Sequence, residues 1–353
     1  MENNQNGDSN QFTHIGEIGR DKLLEKFYQF DGFSHSEVIK GGGDDAAVIN
    51  LSDTWAGVLS SEQFTEGIDF DLTYTPLHHL GYKLVSMTLS DIYAMNAEPV
   101  SLLVNLALPE KISVEMLEQF YQGIHSACHE FGVQLSGGDI NSAHQAMSIG
   151  MTAFGKTEKE RLVYRSGAHK DDAICITGDL GGAMAGLRIL MREKRMWQEH
   201  QNETIQPDLS EYEYVVRSQL VPQARKDFYD MLKEHQLLPS SMIDVTKGLI
   251  HEMHQLTRAS NVGAHLYEQA IPIAIETRHV ADEMEEDVDK YALYGGEDLE
   301  LVFTAPKKDV DRLAELFNDF VVIGRITDAV DGLKMQRADG GLVTYEQESG
   351  SES

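Results

Sequence analysis

Five short segments of the sequence combine acidic or hydroxyl side chains with glycine or with the end of a strand-like or helix-like run. They are Gly43-Asp44-Asp45, Ser60-Ser61-Glu62, Leu89-Ser90-Asp91, Ser136-Gly137-Gly138-Asp139 and Asp244-Val245-Thr246. At such places backbone N–H groups and side-chain oxygens can converge on one ligand. Mg²⁺ is usually held by a few carboxylates together with the phosphates of a substrate. Any one segment alone is typical of a turn, but the five together favour a site for a metal-bound nucleotide.

Other ligand-binding motifs are absent or weak. The sequence has no GxxxxGK[ST] motif, and the turn at 177–182 (TGDLGG) lacks the GxGxxG spacing, which argues against P-loop and dinucleotide-binding proteins. The two histidines of His251-Glu252-Met253-His254 are three residues apart, whereas HExxH zinc sites need four. We therefore interpret this segment as a solvated helix turn.

The candidate residues must be positioned by short strands that alternate with helices. Helical patterns cover 76–95, 113–131 and 182–196, and strand-like runs lie between them. The runs are AAVIN, AGVLS, LLVNLAL, AMSIGMTAFG and DAICITG. With 353 residues, 41% of them hydrophobic, the chain can bury a large core, and its length favours two domains. The pattern predicts an α/β or α+β protein.

Composition shifts indicate where the domains begin and end. The charged, glycine-punctuated segment 155–172 is the predicted boundary, which gives an N-terminal domain at 13–160 and a C-terminal domain at 161–345. A polar insertion at about 193–212 interrupts the second domain. Both ends, 1–12 and 346–353, lack the apolar side chains that would offset the entropy of ordering, so both tails are predicted to be disordered.

Charge and cysteine content exclude several classes of protein. Asp and Glu number 58 against 29 Lys and Arg, a formal net charge of −29, which would repel nucleic acid and anionic membranes. The first residues lack the features of a signal peptide and no run is long enough to span a bilayer, so the predicted location is cytoplasmic. Cys128 and Cys175 lie in apolar segments and are predicted to be buried free thiols.

From Gly16 to about Thr344, the chain resembles the thiamine-monophosphate kinases of the aminoimidazole-ribonucleotide-synthetase superfamily. The resemblance rests on a series of motifs that occur in the same order. These are GEIGRDKLLEKF at 16–27, GDDAAVI at 43–49, EGIDF at 66–70, HLGYKLVSMTLSDIYAMNAEP at 79–99, SGGD at 136–139, YRSGAHKDDAICITGDLGGAMAGL at 164–187, MIDVTKGL at 242–249, NVGAHLYEQAIPI at 261–273 and GGEDLELVF at 295–303.

This resemblance implies a fold, a reaction and a set of partners. The N-terminal domain would be an α+β domain that binds ATP and metal, with a sheet that forms an intersubunit barrel in a homodimer. An α/β C-terminal domain would follow it. ATP and thiamine monophosphate would lie in the cleft, bridged by several Mg²⁺ ions, and the product would be thiamine diphosphate.

The resemblance also implies roles for individual residues. The metal-ligand positions are Asp45, Ser60, Ser61, Glu62, Asp91, Asp139 and Asp244. The positions on or near ATP are Tyr121, Gly138, Asp139, Arg165 and Thr246. The substrate positions are Asp69 and Glu297, and the catalytic positions are Asp244, Lys247 and Arg165.

The sequence departs from the family at several of these positions. Lys247 stands where the family has a metal-binding aspartate, Asp69 where it has a substrate-contacting histidine, and Leu299 where it has a tyrosine. Glu62 replaces an aspartate, and the aromatic residue that the family carries near its C-terminus is missing from YEQESGSES. Two functions therefore stay open: an ATP-dependent thiamine-monophosphate kinase, or a non-catalytic or altered-substrate homologue that still binds nucleotide.

Overall fold

The computed structural model describes residues 13, 15–28, 34–199 and 208–346. Two short helices, α1 (Ile15–Ile18) and α2 (Arg20–Tyr28), belong to a unit of their own, and every other element lies in the unit 37–345. The predicted disordered tails fall outside the described residues except at Glu346, so that expectation stays a prediction.

A six-stranded mixed sheet forms the first half of the larger unit. Its strands are β1 (Val38–Lys40), β2 (Ala47–Asn50), β3 (Trp55–Thr65), β4 (Glu98–Leu108), β5 (Gln134–Ser142) and β6 (Ser148–Glu158). In space they follow the order β1-β2-β3-β6-β4-β5. Only the β4–β5 pair is parallel. Strand β5 is therefore an edge strand of this sheet.

Two long helices, α3 (Leu77–Ala94) and α4 (Val114–Phe131), cover one face of the sheet. The Ser113 hydroxyl caps α4 by accepting a hydrogen bond from the backbone N–H of Met116, as expected for an N-terminal cap. The helices approach so closely that a Cβ on Gly123 would lie 1.9 Å from the carbonyl oxygen of His78. Glycine is therefore required at position 123, where the two helices cross. The helices predicted at 76–95 and 113–131 are confirmed.

The other face of the sheet is not covered by these helices. Along β3, Val58 and Ser60 are buried whereas Leu59 and Ser61 are exposed. This alternation follows from strand geometry, in which successive side chains point to opposite faces.

A seven-stranded mixed sheet forms the second half. Its strands are β7 (Ala173–Thr177), β8 (Ser241–Asp244), β9 (Gly263–Tyr267), β10 (Leu301–Ala305), β11 (Phe320–Thr327), β12 (Leu333–Gln336) and β13 (Leu342–Tyr345). Their spatial order is β13-β12-β9-β11-β7-β10-β8, and only β9 and β12 are parallel. The prediction of two domains that each combine a sheet with helices is confirmed.

Seven helices accompany the second sheet among the described residues. They are α5 (Gly182–Glu199), α6 (Glu213–Leu220), α7 (Lys226–Glu234), α8 (Leu249–Ser260), α9 (Ile275–Glu283), α10 (Val288–Tyr294) and α11 (Lys307–Leu316). The helix predicted at 182–196 is confirmed, while residues 200–207 of the predicted polar insertion lie outside the described residues.

Cys128 and Cys175 are both buried and unpaired, as predicted. No helix in the described ranges has the length and apolar character needed to cross a bilayer. The cytoplasmic location stays a prediction.

Candidate metal centre and adjoining cavity

Three carboxylates that are far apart in the sequence meet in the structure. Asp45 lies in the turn before β2, Asp91 on α3 and Asp244 at the end of β8. One oxygen from each lies within 4.8 Å of the others. The cluster, named here the carboxylate cluster, contains three of the seven predicted metal ligands.

Local structure explains how each carboxylate reaches this point. Gly43 has a φ of 101°, which only glycine adopts readily, and this turns the chain so that the Asp45 side chain is completely buried. Asp91 is held by the Ser60 hydroxyl, which donates a hydrogen bond to its Oδ2. Asp244 pairs with Leu301 of the neighbouring strand β10, which fixes its backbone inside the sheet.

The carboxylate cluster is an electrostatically unfavourable arrangement by itself. Burial, together with the charges of Asp244, Glu62 and Asp45, raises the pKa of Asp91 well above its ordinary value. Burial and the charges of Asp45 and Glu252 do the same to the pKa of Asp244. Oδ2 of Asp45 and Oδ2 of Asp244 are buried without a hydrogen-bond partner. Because unsatisfied buried carboxylate oxygens are costly, and because oxygen is the ligand that Mg²⁺ prefers, these residues fit a divalent cation.

Arg165 is hydrogen-bonded to the other carboxylate oxygen of Asp45, Oδ1. Its Nε and Nη2 donate to Asp45 Oδ1 at 3.0 and 2.5 Å, and its backbone N–H donates to Asp44 Oδ1 at 3.0 Å. Burial raises the pKa of Asp45, and the Arg165 guanidinium opposes that effect. Burial and the adjacent Asp45 raise the pKa of Asp44 to about 6. The guanidinium therefore fixes Asp45 so that Oδ2 is the oxygen left for a cation.

The turn after Asp244 is held by a buried glutamate. Glu252 accepts a hydrogen bond from the backbone N–H of Lys247 at 3.0 Å and one from the Thr246 hydroxyl at 3.4 Å. Burial raises the pKa of Glu252 to about 7. The interpretation of residues 251–254 as a solvated turn is wrong for Glu252, since this side chain points inward from α8 and is 2% exposed. The Lys247 side chain is exposed.

Two further predicted metal ligands lie outside the carboxylate cluster. Ser61 is exposed on β3, and its hydroxyl lies 3.0 Å from that of Thr152. Asp139 is exposed on the edge strand β5, in register with Asn105. Ser61 is the strand neighbour of Ser60, so it faces away from Asp91. The single chain therefore does not bring Ser61 or Asp139 to the cluster, and their metal roles stay predictions.

The remaining predicted nucleotide and metal positions have structural surroundings of their own. Gly138 packs against β4 so closely that a Cβ would lie 1.7 Å from the carbonyl oxygen of Val104. The Tyr121 ring on α4 is half-buried and lies edge-on to its neighbour Phe120. Glu62 is half-buried on β3, and its charge acts on Asp91 as described above.

A cavity of about 580 Å³ contains both predicted substrate residues. Asp69 lies in the loop after β3, where its carboxylate accepts a hydrogen bond from the backbone N–H of Thr65 at 2.7 Å. Glu297 reaches the cavity from the segment before β10. One face of α5 provides an apolar wall, and positive side chains from α3 and α5 form another part of the lining. These residues are Met184, Leu187, Met191, Lys83, Lys194 and Arg195.

The cavity adjoins the carboxylate cluster because the segment that carries Glu297 is hydrogen-bonded to the turn that follows Asp244. The N–H of Glu297 donates to the carbonyl oxygen of Thr246, and the N–H of Leu299 donates to that of Val245, both at 3.1 Å. These carbonyls belong to the turn that follows Asp244. Leu299, which the resemblance places at a tyrosine position of the family, is fully buried. A larger cavity of about 750 Å³ lies against α6 and α7 and contains none of the predicted site residues.

Two residues of this region were missed by sequence reasoning, Lys83 and Glu252. The signal for Lys83 is a single lysine in the apolar segment LGYKLVSMTLS, and the signal for Glu252 is a glutamate one helical turn after the MIDVTKGL motif.

Comparison with known proteins matches the sequence to two domain families. Residues 43–157 match AIR synthase related protein, N-terminal domain, and residues 170–334 match AIR synthase related protein, C-terminal domain. The chain is 30% identical over 330 residues to the thiamine-monophosphate kinase of Aquifex aeolicus (strain VF5), which covers 92% of this chain and 97% of that protein.

Solved structures agree with this result. The structure of AaThiL complexed with AMPPCP and TMP is 28% identical in sequence, with a TM-score of 0.80 over 96% of this chain and 98% of that one. Hydrogenase maturation protein HypE shares the fold, with a TM-score of 0.64, 21% identity and coverage of 90% of this chain and 96% of that one.

Proposed function

Because the chain belongs to the thiamine-monophosphate kinase family of AIR synthase related proteins, we propose that it transfers the γ-phosphoryl group of ATP to the phosphate of thiamine monophosphate. The observation that carries this proposal is the position of the carboxylate cluster beside the cavity lined by Asp69 and Glu297. The carboxylate cluster suits metal-bound phosphates, and the cavity suits the organic part of an acceptor.

The reaction requires little covalent help from the protein. A phosphate oxygen of the acceptor forms a bond to the γ-phosphorus, the bond from that phosphorus to the bridging oxygen breaks, and ADP leaves. The acceptor phosphate is ionised near neutral pH, so no general base is needed. Mg²⁺ supplies charge neutralisation and alignment of the phosphates when it is bound.

The residues of the chain supply the fixed framework for this step. Asp45, Asp91 and Asp244 would hold the cation. Arg165 keeps the carboxylate of Asp45 in place, and Ser60 keeps that of Asp91 in place. Arg165 also brings a positive charge to a site where two anions must approach each other. Such positioning accounts for most of the catalysis in phosphoryl transfer.

The cavity suits the ring system of thiamine. A thiazolium ring carries a permanent positive charge, which the carboxylates of Asp69 and Glu297 would favour. The side chains of Met184, Leu187 and Met191 offer an adaptable apolar wall to the ring, since thioethers are flexible and polarizable. This wall would take over part of the contact that the family's C-terminal aromatic residue makes.

A second candidate function is supported by the departures from the family pattern. Lys247, Asp69 and Leu299 change the charge or shape of positions near the phosphates and the acceptor. They favour a non-catalytic or altered-substrate homologue that retains nucleotide binding.

A coupled assay separates the two candidates. Purified protein is incubated with ATP, Mg²⁺ and thiamine monophosphate, and thiamine diphosphate is measured by chromatography. The proposed kinase forms the diphosphate only when Mg²⁺ is present. Binding of Mg²⁺-ATP by calorimetry without formation of thiamine diphosphate would support the second candidate instead.

We also propose that the chain forms a homodimer through the open face of the first sheet. This face exposes large apolar side chains on β3 and β4, namely Trp55, Leu59, Val100 and Leu103. Exposed apolar surface of this kind is typical of a subunit interface. Ser61 lies on the same face, which would place it at the interface.

The dimer can be tested with one charged substitution. Leu103→Glu is expected to convert a dimer into a monomer, because Leu103 is 41% exposed on the open face and a glutamate there would be buried at the interface without a partner. Light scattering measures the change in mass. Val114→Glu is the matched control, since Val114 is exposed on α4, in the layer that covers the opposite face. A wild-type chain that is monomeric at micromolar concentration would contradict the proposal.

A further inference from the structure

A buried lysine reaches from the first half of the chain to the second. Lys83 lies on α3, its side chain is 3% exposed, and its Nζ lies 2.6 Å from Oε2 of Glu297, which is 214 residues away in the sequence. A buried ammonium is stable only when it is paired, so this ion pair defines where both side chains lie.

The carboxylate of Glu297 is held from several sides. Its Oε2 accepts hydrogen bonds from Lys83 and, at 3.3 Å, from the side-chain amide of Gln219. Its backbone N–H is bonded to Thr246, and its φ of 70° is a left-handed conformation that a glutamate rarely adopts. Among the described residues, both hydrogen bonds to this carboxylate end on Oε2. Oε1 is therefore the oxygen available to a ligand in the cavity.

Helix α3 connects this ion pair to the carboxylate cluster. Lys83 and Asp91 are eight residues apart on the helix, which corresponds to about 12 Å along its axis. A phosphate monoester with a ring system has a comparable length. Its phosphate could therefore reach the cluster while its ring lies beside Glu297.

We propose that Lys83 is a positioning residue for the acceptor: by holding Oε2 of Glu297, it presents Oε1 to a positively charged or N–H-donating ring, and so makes the cavity selective for phosphate monoesters with cationic rings. This inference rests on the proposed function, since it assigns the cavity to the acceptor. Lys83 itself does not touch the reacting atoms. It acts through Glu297.

The variant Lys83→Met removes the charge and keeps a straight side chain that suits a helix. We expect the KM for thiamine monophosphate to rise about fivefold, while the KM for Mg²⁺-ATP and the kcat at saturating acceptor change less than twofold. Binding of benzyl phosphate, a monoester with a neutral ring, should not weaken, so the preference for the cationic ring should fall. Calorimetry measures both ligands.

Two further variants separate this role from a merely structural one. Lys233→Met removes another lysine that pairs with a glutamate, Glu98, at 2.8 Å, and it lines neither cavity, so its acceptor KM should equal that of the wild type. The double variant Lys83→Met/Glu297→Gln removes both charges of the pair. It should bind the acceptor no more weakly than Glu297→Gln alone, because Lys83 acts only through Glu297.

The possible failures can be told apart. If the wild-type chain neither binds nor phosphorylates thiamine monophosphate, the proposed function fails and this inference fails with it. If the wild type is active and Lys83→Met leaves the acceptor KM unchanged, only the inference fails. An equal loss of ATP and acceptor affinity, with a lower melting temperature, would also overturn it. If Lys83→Met does not fold, the double variant decides: weaker acceptor binding than in Glu297→Gln would contradict the positioning role.

Discussion

Asp244→Asn is expected to lower the rate of phosphoryl transfer about a thousandfold, the scale on which removal of one fixed electrostatic contact acts in an active site. Asp244 is 2% exposed and presents a buried, unpartnered Oδ2 to the carboxylate cluster. Asparagine has nearly the same shape but offers no negative charge to a divalent ion. The measurement is kcat for thiamine diphosphate formation, together with Mg²⁺ affinity by calorimetry.

The same substitution should stabilise the metal-free protein at pH 7. Burial and the nearby Asp45 raise the pKa of Asp244 above its unfolded value, so the folded state favours the protonated form. The penalty is absent below the unfolded pKa and grows as the pH rises above it. In EDTA at pH 7 the melting temperature of Asp244→Asn should therefore exceed that of the wild type by about 2 °C, and the difference should shrink towards pH 4.

Asp311→Asn provides the control for both measurements, because Asp311 is exposed on α11 and lies outside the carboxylate cluster. It should change neither the rate nor the melting temperature. A variant Asp244→Asn that keeps wild-type turnover would remove Asp244 from the metal site.

The sequence analysis predicted the elements of this fold better than the contacts between them. The helix expected at 76–95 is observed at Leu77–Ala94, because its apolar pattern is local information. The meeting of Asp45, Asp91 and Asp244 was expected only from glycine turns and from resemblance. No local pattern shows that residues from three separate elements converge, since that depends on how both sheets pack.

The sequence patterns did not show which face of a strand a side chain occupies or which buried side chains pair with each other. Ser60 and Ser61 were treated alike, although neighbouring residues on a strand point to opposite faces, and only Ser60 reaches Asp91. Lys83 and Glu252 were missed because the role of each side chain depends on its partner. The partner of Lys83 is Glu297, far away in the sequence, and that of Glu252 is the backbone of Lys247. A lysine within an apolar helix segment is nevertheless a usable signal, since such a charge requires a buried partner.

Lys247 is the departure that most directly divides the two candidate functions. The resemblance implies that it stands where the family has a metal-binding aspartate, three residues after Asp244. Its backbone N–H donates a hydrogen bond to Glu252. Its exposed side chain carries a positive charge that acts to lower the pKa of Glu252, and the charge of Glu252 in turn acts on Asp244 of the carboxylate cluster. The natural chain therefore has a weaker negative field at this end of the site than the family pattern implies.

Lys247→Asp is expected to tighten Mg²⁺ binding about tenfold and to increase the rate of phosphoryl transfer. A unit charge about 8 Å from a divalent ion contributes about 1 kcal/mol in a water-like dielectric, so a change of two charges is worth about 2 kcal/mol. At about 20 mM ionic strength, where the Debye length is about 20 Å, screening reduces this to about 1.4 kcal/mol, which is tenfold in Kd. Calorimetry measures the affinity and the coupled assay measures the rate.

The control variant reverses the charge of another exposed lysine, Lys308, which lies far from the carboxylate cluster. Lys308 is exposed beyond Ala305, the end of β10 opposite to the residue that pairs with Asp244, so Lys308→Asp should leave Mg²⁺ affinity unchanged. A faster Lys247→Asp variant identifies the natural chain as a working kinase with reduced metal affinity. A slower variant with tighter Mg²⁺ binding would show that the ammonium itself contacts the phosphates, as a compact positive charge can. Unchanged affinity and rate would place Lys247 outside the field of the carboxylate cluster, and its catalytic assignment would then be wrong.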